Sequence, residues 1–267
     1  LHSVGHSFPT RRSSDLERRN TTIVHIDVDP AEIGKNLGTT VPLVGDVHVI
    51  FENLLQYEIP GDYTAWNEEL AEKKAAYVDR RHFNPDFVNP CRFVQTLSSK
   101  MNDDAIYVAD VGQNQLWSAD NYVMKHGRFL TTGGFGTMGY SIPAAIGVRA
   151  ALPDTQIVAV CGDGSFQMSL MELATMRQWN LPIKFVIMRN GYLGLVREYQ
   201  HHTYHDRYSG VSLDGSPDFE KIADAYGLDY FHLEHNDEME QRIDEFLACE
   251  HAAMMVCEVY SFDLVKE

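Results

Sequence analysis

The sequence predicts an α/β protein with a doubly wound parallel sheet, and three observations support this fold class. From residue 86 onward, short apolar runs alternate with longer segments of helical character, which is the pattern of β-α-β units. The runs at 157–160 and 185–188 contain no polar residue, as expected for strands covered on both faces. Asp110, Asp163 and Asn190 fall just past three such runs, at the edge where these sheets bind ligands.

Each element of this sheet follows from the alternation. The expected strands lie near residues 106–110, 156–161, 183–188, 229–233 and 254–259. The expected helices lie near residues 91–102, 138–151, 166–179, 217–226 and 236–249. The segment between Ser165 and Asn180 is expected to be a helix that links two parallel strands.

The preceding residues predict a different domain. Residues 17–58 are expected to form a separate α/β unit, with strands at 23–28 and 41–46. A helix is expected to begin at 29–33, where a proline stands in the first turn beside acidic residues, and another covers 47–57. Residues 59–85, with a mixed-charge helix over 66–81, are expected to connect this domain to residues 86–267.

The first 16 residues show no hydrophobic periodicity and carry the basic pair Arg11-Arg12. They lack the apolar core of a secretory signal, and a transit peptide is one alternative. Residues 6–16 also match the conceptual translation of a common short-read sequencing adapter. We therefore expect residues 1–16 to be non-native and the reading frame to be truncated at its 5′ end, which sequencing of the genomic locus tests.

Composition excludes several function classes. The formal net charge of −16 argues against binding to nucleic acid or to an anionic membrane. No apolar stretch approaches the roughly 20 residues that span a bilayer. The four cysteines include no C-x-x-C pair, which favours reduced thiols in a cytoplasmic protein.

Asp163 and Asn190 are the strongest candidates for a ligand site. They are 27 residues apart, which fits a strand end, a crossover helix and the next strand. Carboxylate and amide oxygens are hard ligands that suit Mg²⁺ when it also holds phosphate. The alternative is that Gly162-Asp163-Gly164 is an ordinary turn.

This pair of residues resembles the diphosphate–magnesium motif of thiamine-diphosphate enzymes. The resemblance implies that the side chains of Asp163 and Asn190 and the backbone carbonyl of Tyr192 hold the metal. It also implies a diphosphate site at Gly162, Gly164 and Ser165. Arg189 stands where the family usually has a second asparagine.

Two further motifs carry the same resemblance. Gly112, Gln113 and Asn114 resemble the strand-end loop that reaches the diphosphate in the acetohydroxyacid synthase branch, although a surface turn is the alternative. Residues 134–139 spell G-x-G-x-x-G, which taken alone is a weak dinucleotide fingerprint. In the resemblance, the carbonyl of Gly136 accepts from the 4′-amino group of the cofactor. Met138 wedges between its two rings, so these two residues are the catalytic candidates.

Residues 190–200, followed by Arg207-Tyr208-Ser209, resemble the acetohydroxyacid synthase catalytic subunit most closely. There, Leu195 and Tyr199 are implied to line the substrate pocket, and the family carries tryptophan at the position of Tyr199. A surface amphipathic helix is the alternative for this stretch. A second alternative is a zinc site formed by the nearby histidines at 201, 202 and 205.

The resemblance implies that residues 17–58 are the C-terminal part of a Rossmann-like middle domain, with an FAD contact at two strand ends. The residues concerned are Asp27, Val28, Asp46 and Val47. An acidic residue at a strand end is also a common helix cap, so both interpretations stay open.

The resemblance as a whole implies the acetolactate synthase reaction of branched-chain amino acid biosynthesis: decarboxylation of pyruvate and ligation to pyruvate or 2-oxobutyrate. The implied cofactors are thiamine diphosphate, Mg²⁺ and FAD. The implied assembly is a homodimer or homotetramer with an intersubunit active site and a small regulatory subunit. The resemblance implies that the activating glutamate belongs to a preceding pyrimidine-binding domain. We expect that domain to lie outside this chain, and we expect the fragment alone to be inactive. The alternatives are another pyruvate-oxidase-like decarboxylase or carboligase, and a non-catalytic cofactor-binding module.

Overall fold

The computed structural model describes residues 22–36, 38, 41–57, 61–76 and 81–265. The segment predicted to be non-native, residues 1–16, lies outside the described residues. The chain divides into two compact units, residues 1–78 and 79–267. Within the described ranges, no helix combines the length and apolar character needed to cross a membrane.

The first unit contains a small parallel pair of strands, β1 (Val24–Asp27) and β2 (Val41–Val44). Two helices follow, α1 (Val47–Leu54) and α2 (Thr64–Ala75). Helix α1 begins where it does because the Asp46 side chain accepts hydrogen bonds from the backbone N–H groups of His48 and Val49. This contact satisfies two donors that the helix itself leaves free.

The helix expected at 29–33 is absent, and this prediction was wrong. Residues 30–34 form turns instead, with single hydrogen bonds from Glu32 N to Asp29 O and from Lys35 N to Glu32 O. Gly34, at a φ of 74°, leaves the helical region, so too few residues remain to offset the cost of helix nucleation.

The second unit is a six-stranded, wholly parallel sheet with the strand order β4-β3-β5-β6-β8-β7. Its strands are β3 (Ile106–Ala109), β4 (Arg128–Thr131), β5 (Ile157–Gly162), β6 (Lys184–Arg189), β7 (Asp229–Leu233) and β8 (Ala253–Glu258). Its helices are α3 (Pro90–Lys100), α4 (Gln113–Asn121), α5 (Ser141–Ala151), α6 (Asp163–Ser169), α7 (Leu173–Gln178), α8 (Gly194–Tyr204), α9 (Phe219–Tyr226) and α10 (Met239–Ala248).

Apolar side chains cover both faces of this sheet. Along β5, Val158 and Val160 belong to one buried cluster, while Ile157, Ala159 and Cys161 belong to the other. This alternation follows from the two-residue period of a strand. The expected α/β fold with a parallel sheet and flanking helices is therefore confirmed.

The five expected strands of the sheet are present to within about two residues, but other elements differ. Strand β4 was not predicted, because this edge strand has only four residues and none of them is fully buried. The strand-end loop expected at 112–115 is the beginning of α4. The single helix expected at 165–180 is divided into α6, a 3₁₀ turn (Leu170–Glu172) and α7, since Ser169 leaves the helical region at a φ of −133°.

The entry into β4 generates a stability prediction. A Cβ atom on Gly127 would lie 1.9 Å from the carbonyl oxygen of Ala105, so Gly127→Ala forces β4 away from β3. We expect it to lower the free energy of unfolding by about 1–3 kcal/mol, as other overpacking changes do. Urea denaturation measures this. The matched control is Gly147→Ala in α5, where an added Cβ meets no atom within 4 Å. Equal stability of the two variants would contradict the prediction.

Candidate functional site

The candidate site lies at the carboxyl edge of the parallel sheet. Strands β5 and β6 are parallel neighbours, with Gly162 opposite Met188, so Asp163 and Asn190 leave the sheet side by side. A pocket of about 210 Å³ lies at this edge. It is lined by the predicted residues Gly112, Gln113, Asn114, Gly136, Met138, Gly162, Asp163, Gly164, Ser165, Asn190, Tyr192 and Leu195, and also by Val111, Trp117, Met188, Leu193, Gly194 and Val196.

Asp163 is almost fully buried and is held by backbone donors. Its Oδ2 accepts a hydrogen bond from Gly191 N at 2.8 Å, and its Oδ1 accepts one from Gly164 N at 3.1 Å. Burial raises the pKa of this carboxyl to about 6, although these two N–H groups oppose the shift. Burial of a carboxylate is costly without a compensating positive charge, which makes this position suited to a cation.

The loop that carries Asn190 and Tyr192 is fixed on two sides. Leu193 N donates to Val211 O at 2.8 Å, and Leu213 N donates to Gly191 O at 2.9 Å. On the other side, Ser261 Oγ donates to the carbonyl of Asn190 at 2.7 Å. Asn190 Oδ1 in turn accepts from Tyr192 N at 3.0 Å. The two possible metal ligands of this loop, the side-chain oxygen of Asn190 and the backbone carbonyl of Tyr192, are therefore held by a constrained backbone.

Asp110 anchors the glycine-rich segment to the sheet. Its Oδ1 accepts from Gly139 N at 2.9 Å, and its Oδ2 accepts from Ser141 N at 2.7 Å. These contacts hold the segment that contains Gly136 and Met138 against the pocket. The sequence indicated that Asp110 follows a strand, but it did not reveal this anchoring role.

Asn114 and Ser165 stabilise the backbone around the pocket. Asn114 Nδ2 donates to Asp110 O at 2.9 Å and to Val160 O at 3.2 Å, and so joins the ends of β3 and β5. Ser165 Oγ accepts from Gly162 N at 3.0 Å at the start of α6. Both side chains are buried, and their contacts keep the first turns of α4 and α6 in place.

Arg197 is a buried cation that sequence reasoning missed. Its guanidinium carbon lies 4.6 Å from the ring centroid of Phe262 and 5.6 Å from that of Tyr192. Its Nε and Nη2 have no hydrogen-bond partner among the described residues, and neither has Oδ2 of the buried Asp263. Aromatic faces and nearby acidic groups therefore balance this charge. The sequence Val196-Arg197-Glu198 did not indicate that Arg197 is buried, because charged residues usually lie on the surface.

Tyr199 and Arg189 do not line this pocket. Tyr199 is half-exposed, packs edge-on against Tyr204 and lies outside the pocket. Arg189 points to Glu258, with its Nε 3.2 Å from Oε2. The candidate FAD residues Asp27, Val28, Asp46 and Val47 belong to the first unit, where Asp46 caps α1 and Asp27 Oδ1 accepts from Asp29 N at 2.9 Å.

The histidines at 201, 202 and 205 do not assemble a three-ligand metal site within the described ranges. His201 bonds to Asp206. The group of three candidate ligands found in the described residues is Asp229, Cys249 and His251, with ligand atoms within 4.8 Å of one another. Asp229 begins β7 and pairs with the first residue of β8, so this group lies at the opposite edge of the sheet from the pocket.

Comparison with known proteins gives a consistent result. Residues 110–259 match the family model of the C-terminal TPP-binding domain of thiamine pyrophosphate enzymes. The chain is 36% identical to an acetolactate synthase of Arthrospira platensis, over 96% of this chain and 45% of the relative. It is 36% identical to a probable acetolactate synthase large subunit of Methanocaldococcus jannaschii, over 99% of this chain and 46% of that relative. It is 34% identical to the acetolactate synthase isozyme 3 large subunit of Escherichia coli K12, over 92% of this chain and 45% of that relative. The chain thus spans about half the length of these relatives.

The buried Asp263 generates a prediction about pH. Burial raises its pKa to about 6, against the opposing effects of the Asn84 N–H and of Arg197. Because the folded chain holds this proton more tightly than the unfolded chain, Asp263 favours folding most below about pH 4, and this contribution is lost as the pH rises to about 6.

We expect Asp263→Asn to remove this part of the pH dependence and to increase stability relative to the parent chain by about 1–3 kcal/mol at pH 7. Chemical denaturation of both chains between pH 4 and pH 7 measures the difference. A stability difference that does not change with pH would contradict the account.

Proposed function

From the premise that this chain belongs to the thiamine pyrophosphate enzymes, which the match over residues 110–259 shows, we propose that its pocket holds the diphosphate of the cofactor through Mg²⁺. We further propose that the chain is part of an acetolactate synthase catalytic subunit. The names of the relatives support the second statement.

The observation that carries the proposal is the meeting of Asp163, Asn190 and Tyr192 at one edge of the sheet. A carboxylate, an amide oxygen and a backbone carbonyl form an all-oxygen set, which fits Mg²⁺. The cation would also offset the burial that raises the pKa of Asp163. Magnesium keeps open positions for phosphate oxygens and water, and the glycines at 162 and 164 line the pocket on that side.

The remaining pocket residues fit the organic part of the cofactor. Gly136 and Met138 line the pocket, so a backbone carbonyl and a flexible apolar side chain are available to set the geometry of its rings. Asp110 holds this segment in place. When bound, the cofactor supplies the electron sink for decarboxylation of a 2-oxo acid, while the protein binds and orients it.

The substrates are proposed to be pyruvate as donor and pyruvate or 2-oxobutyrate as acceptor. Leu195 lines the pocket and is a candidate for contact with the acceptor. Tyr199, which lies outside the pocket, is proposed to reach the acceptor only in the assembled enzyme. A decarboxylase that releases an aldehyde is the second candidate, since it needs the same cofactor site.

Further parts of the proposal concern partners, a second cofactor and cellular location. The words "large subunit" in the names of relatives support a small regulatory partner, and we propose a homodimer or homotetramer that acts in the cytoplasm. Asp27 ends β1, and Asp46 lies just after the neighbouring parallel strand β2, which supports FAD as a second cofactor. Flavin absorbance of the purified protein tests this last point.

The metal assignment predicts the effect of two substitutions. We expect thiamine diphosphate to bind the chain only with Mg²⁺, and Asp163→Ala or Asn190→Ala to weaken binding at least about 100-fold, because each removes a ligand oxygen. Isothermal titration calorimetry measures this. Asp224→Ala, on the exposed face of α9, is the control and should bind like the parent chain. An unchanged Mg²⁺ requirement in both ligand variants would contradict the assignment.

The reaction assignment predicts the products. With pyruvate, Mg²⁺ and thiamine diphosphate, the enzyme assembled from the complete gene product should form one acetolactate and one carbon dioxide from two molecules of pyruvate. Product analysis by chromatography decides between the candidates. Free acetaldehyde as the main product would favour the decarboxylase, and cofactor binding without turnover would favour the binding module.

A further inference from the structure

We infer that Gln113 is a positioning residue for Asn190: it fixes the side-chain amide of Asn190 so that the oxygen, and not the nitrogen, is offered to the cation. This inference rests on the proposed function, in which Asn190 is a metal ligand. Gln113 is the first residue of α4 and is almost fully buried. Its Oε1 accepts a hydrogen bond from Asn190 Nδ2 at 3.0 Å.

The orientation of Gln113 is fixed by a backbone carbonyl, which can only accept. Its Nε2 donates to Glu198 Oε2 at 2.9 Å and to the backbone carbonyl of Asp263 at 2.9 Å. A backbone carbonyl has no proton to give, so the NH₂ end of Gln113 must face the carbonyl of Asp263. The oxygen of Gln113 is then left for Asn190, and it can be satisfied only by the NH₂ end of that side chain.

The consequence for Asn190 is a defined direction of its amide. With Nδ2 bound to Gln113, Oδ1 lies on the side of Tyr192, whose N–H it accepts at 3.0 Å. A carbonyl-type oxygen has two lone pairs, so one remains for a cation. If the amide of Asn190 were reversed, an N–H donor would face the metal, and the ligand would be lost without any change of residue.

The resemblance implies that the loop containing Gln113 reaches the diphosphate, and the hydrogen bonds of Gln113 restrict how it can do so. The side-chain amide of Gln113 has two N–H donors, and both are used by Glu198 and Asp263. No side-chain donor is left for a phosphate oxygen while this network persists. The pocket position of Gln113 is therefore explained by its contact with Asn190.

Gly194 leaves the space that this contact needs. A Cβ atom at Gly194 would lie 2.0 Å from Gln113 Oε1 and 2.7 Å from Asn190 Nδ2, which is at the hydrogen bond itself. Gly194 is the first residue of α8, where alanine is otherwise well tolerated. The glycine is thus explained by the relay from Glu198 through Gln113 to Asn190, and it offers a way to break the relay without touching its members.

The test uses four variants of the full 267-residue chain: Gln113→Ala, Gly194→Ala, the double variant, and Gly147→Ala as the matched glycine-to-alanine control. Thiamine diphosphate binding is followed by calorimetry as a function of Mg²⁺ concentration. We expect each relay variant to raise the Mg²⁺ concentration at half-saturation about 10- to 100-fold, the usual effect of losing a residue that orients a metal ligand. The control should match the parent chain.

Two further readouts separate positioning from a general structural defect. The double variant should be no worse than the poorer single variant, because both substitutions break one relay and their effects are then not additive. Excess Mg²⁺ should restore thiamine diphosphate binding to the parental stoichiometry, which it does not do for a misfolded pocket. Additive effects, or binding that no Mg²⁺ concentration restores, would overturn the inference.

The outcomes also distinguish this inference from the proposed function. If the parent chain shows Mg²⁺-dependent binding and the relay variants have the parental Mg²⁺ requirement, the inference fails and the proposed function stands. If the parent chain itself shows no Mg²⁺-dependent binding of thiamine diphosphate, the proposed function fails and the inference fails with it.

Discussion

The parallel pairing of β5 with β6 is the constraint on which the candidate site depends. It brings Asp163, at the end of one strand, within 2.8 Å of the N–H of Gly191, which follows the other. Because the strands are parallel, the crossover between them must carry the chain back to the amino edge, and both strands then end at the same carboxyl edge of the sheet. The burial of both strands fixes the register in which they pair. The polar site residues stand on the loops that follow the strands, but the packing of the apolar core determines where these loops lie.

A second layer of polar contacts connects this edge to the C-terminal segment. Ser261 bonds to the carbonyl of Asn190, the carbonyl of Asp263 accepts from Gln113, and Val265 N donates to Glu198 Oε2 at 3.0 Å. Arg197 packs among the aromatic rings of the same segment. Buried charges such as Arg197 and Asp263 are costly for stability, which is typical of functional sites that keep polar groups inside the protein.

The sequence predicted those parts of the molecule that have local signals. Apolar runs followed by Asp163 and Asn190 were enough to predict two strands, their parallel order and their shared edge. Strand β4 was missed because its half-buried residues lack a continuous apolar run. The roles of Gln113, Gly194 and Arg197 could not be predicted, since they depend on side chains that are far apart in sequence and meet only in the folded chain.

A crystal structure of the chain with thiamine diphosphate and Mn²⁺ in place of Mg²⁺ would show where the metal binds, because anomalous scattering locates the ion without ambiguity. We expect one ion bound by Asp163, by Oδ1 of Asn190 and by the carbonyl of Tyr192, at oxygen distances of about 2.0–2.2 Å for an octahedral divalent site. The hydrogen bond from Asn190 to Gln113 should be intact. An ion at another place, or cofactor bound without contact to Asp163 and Asn190, would contradict this expectation.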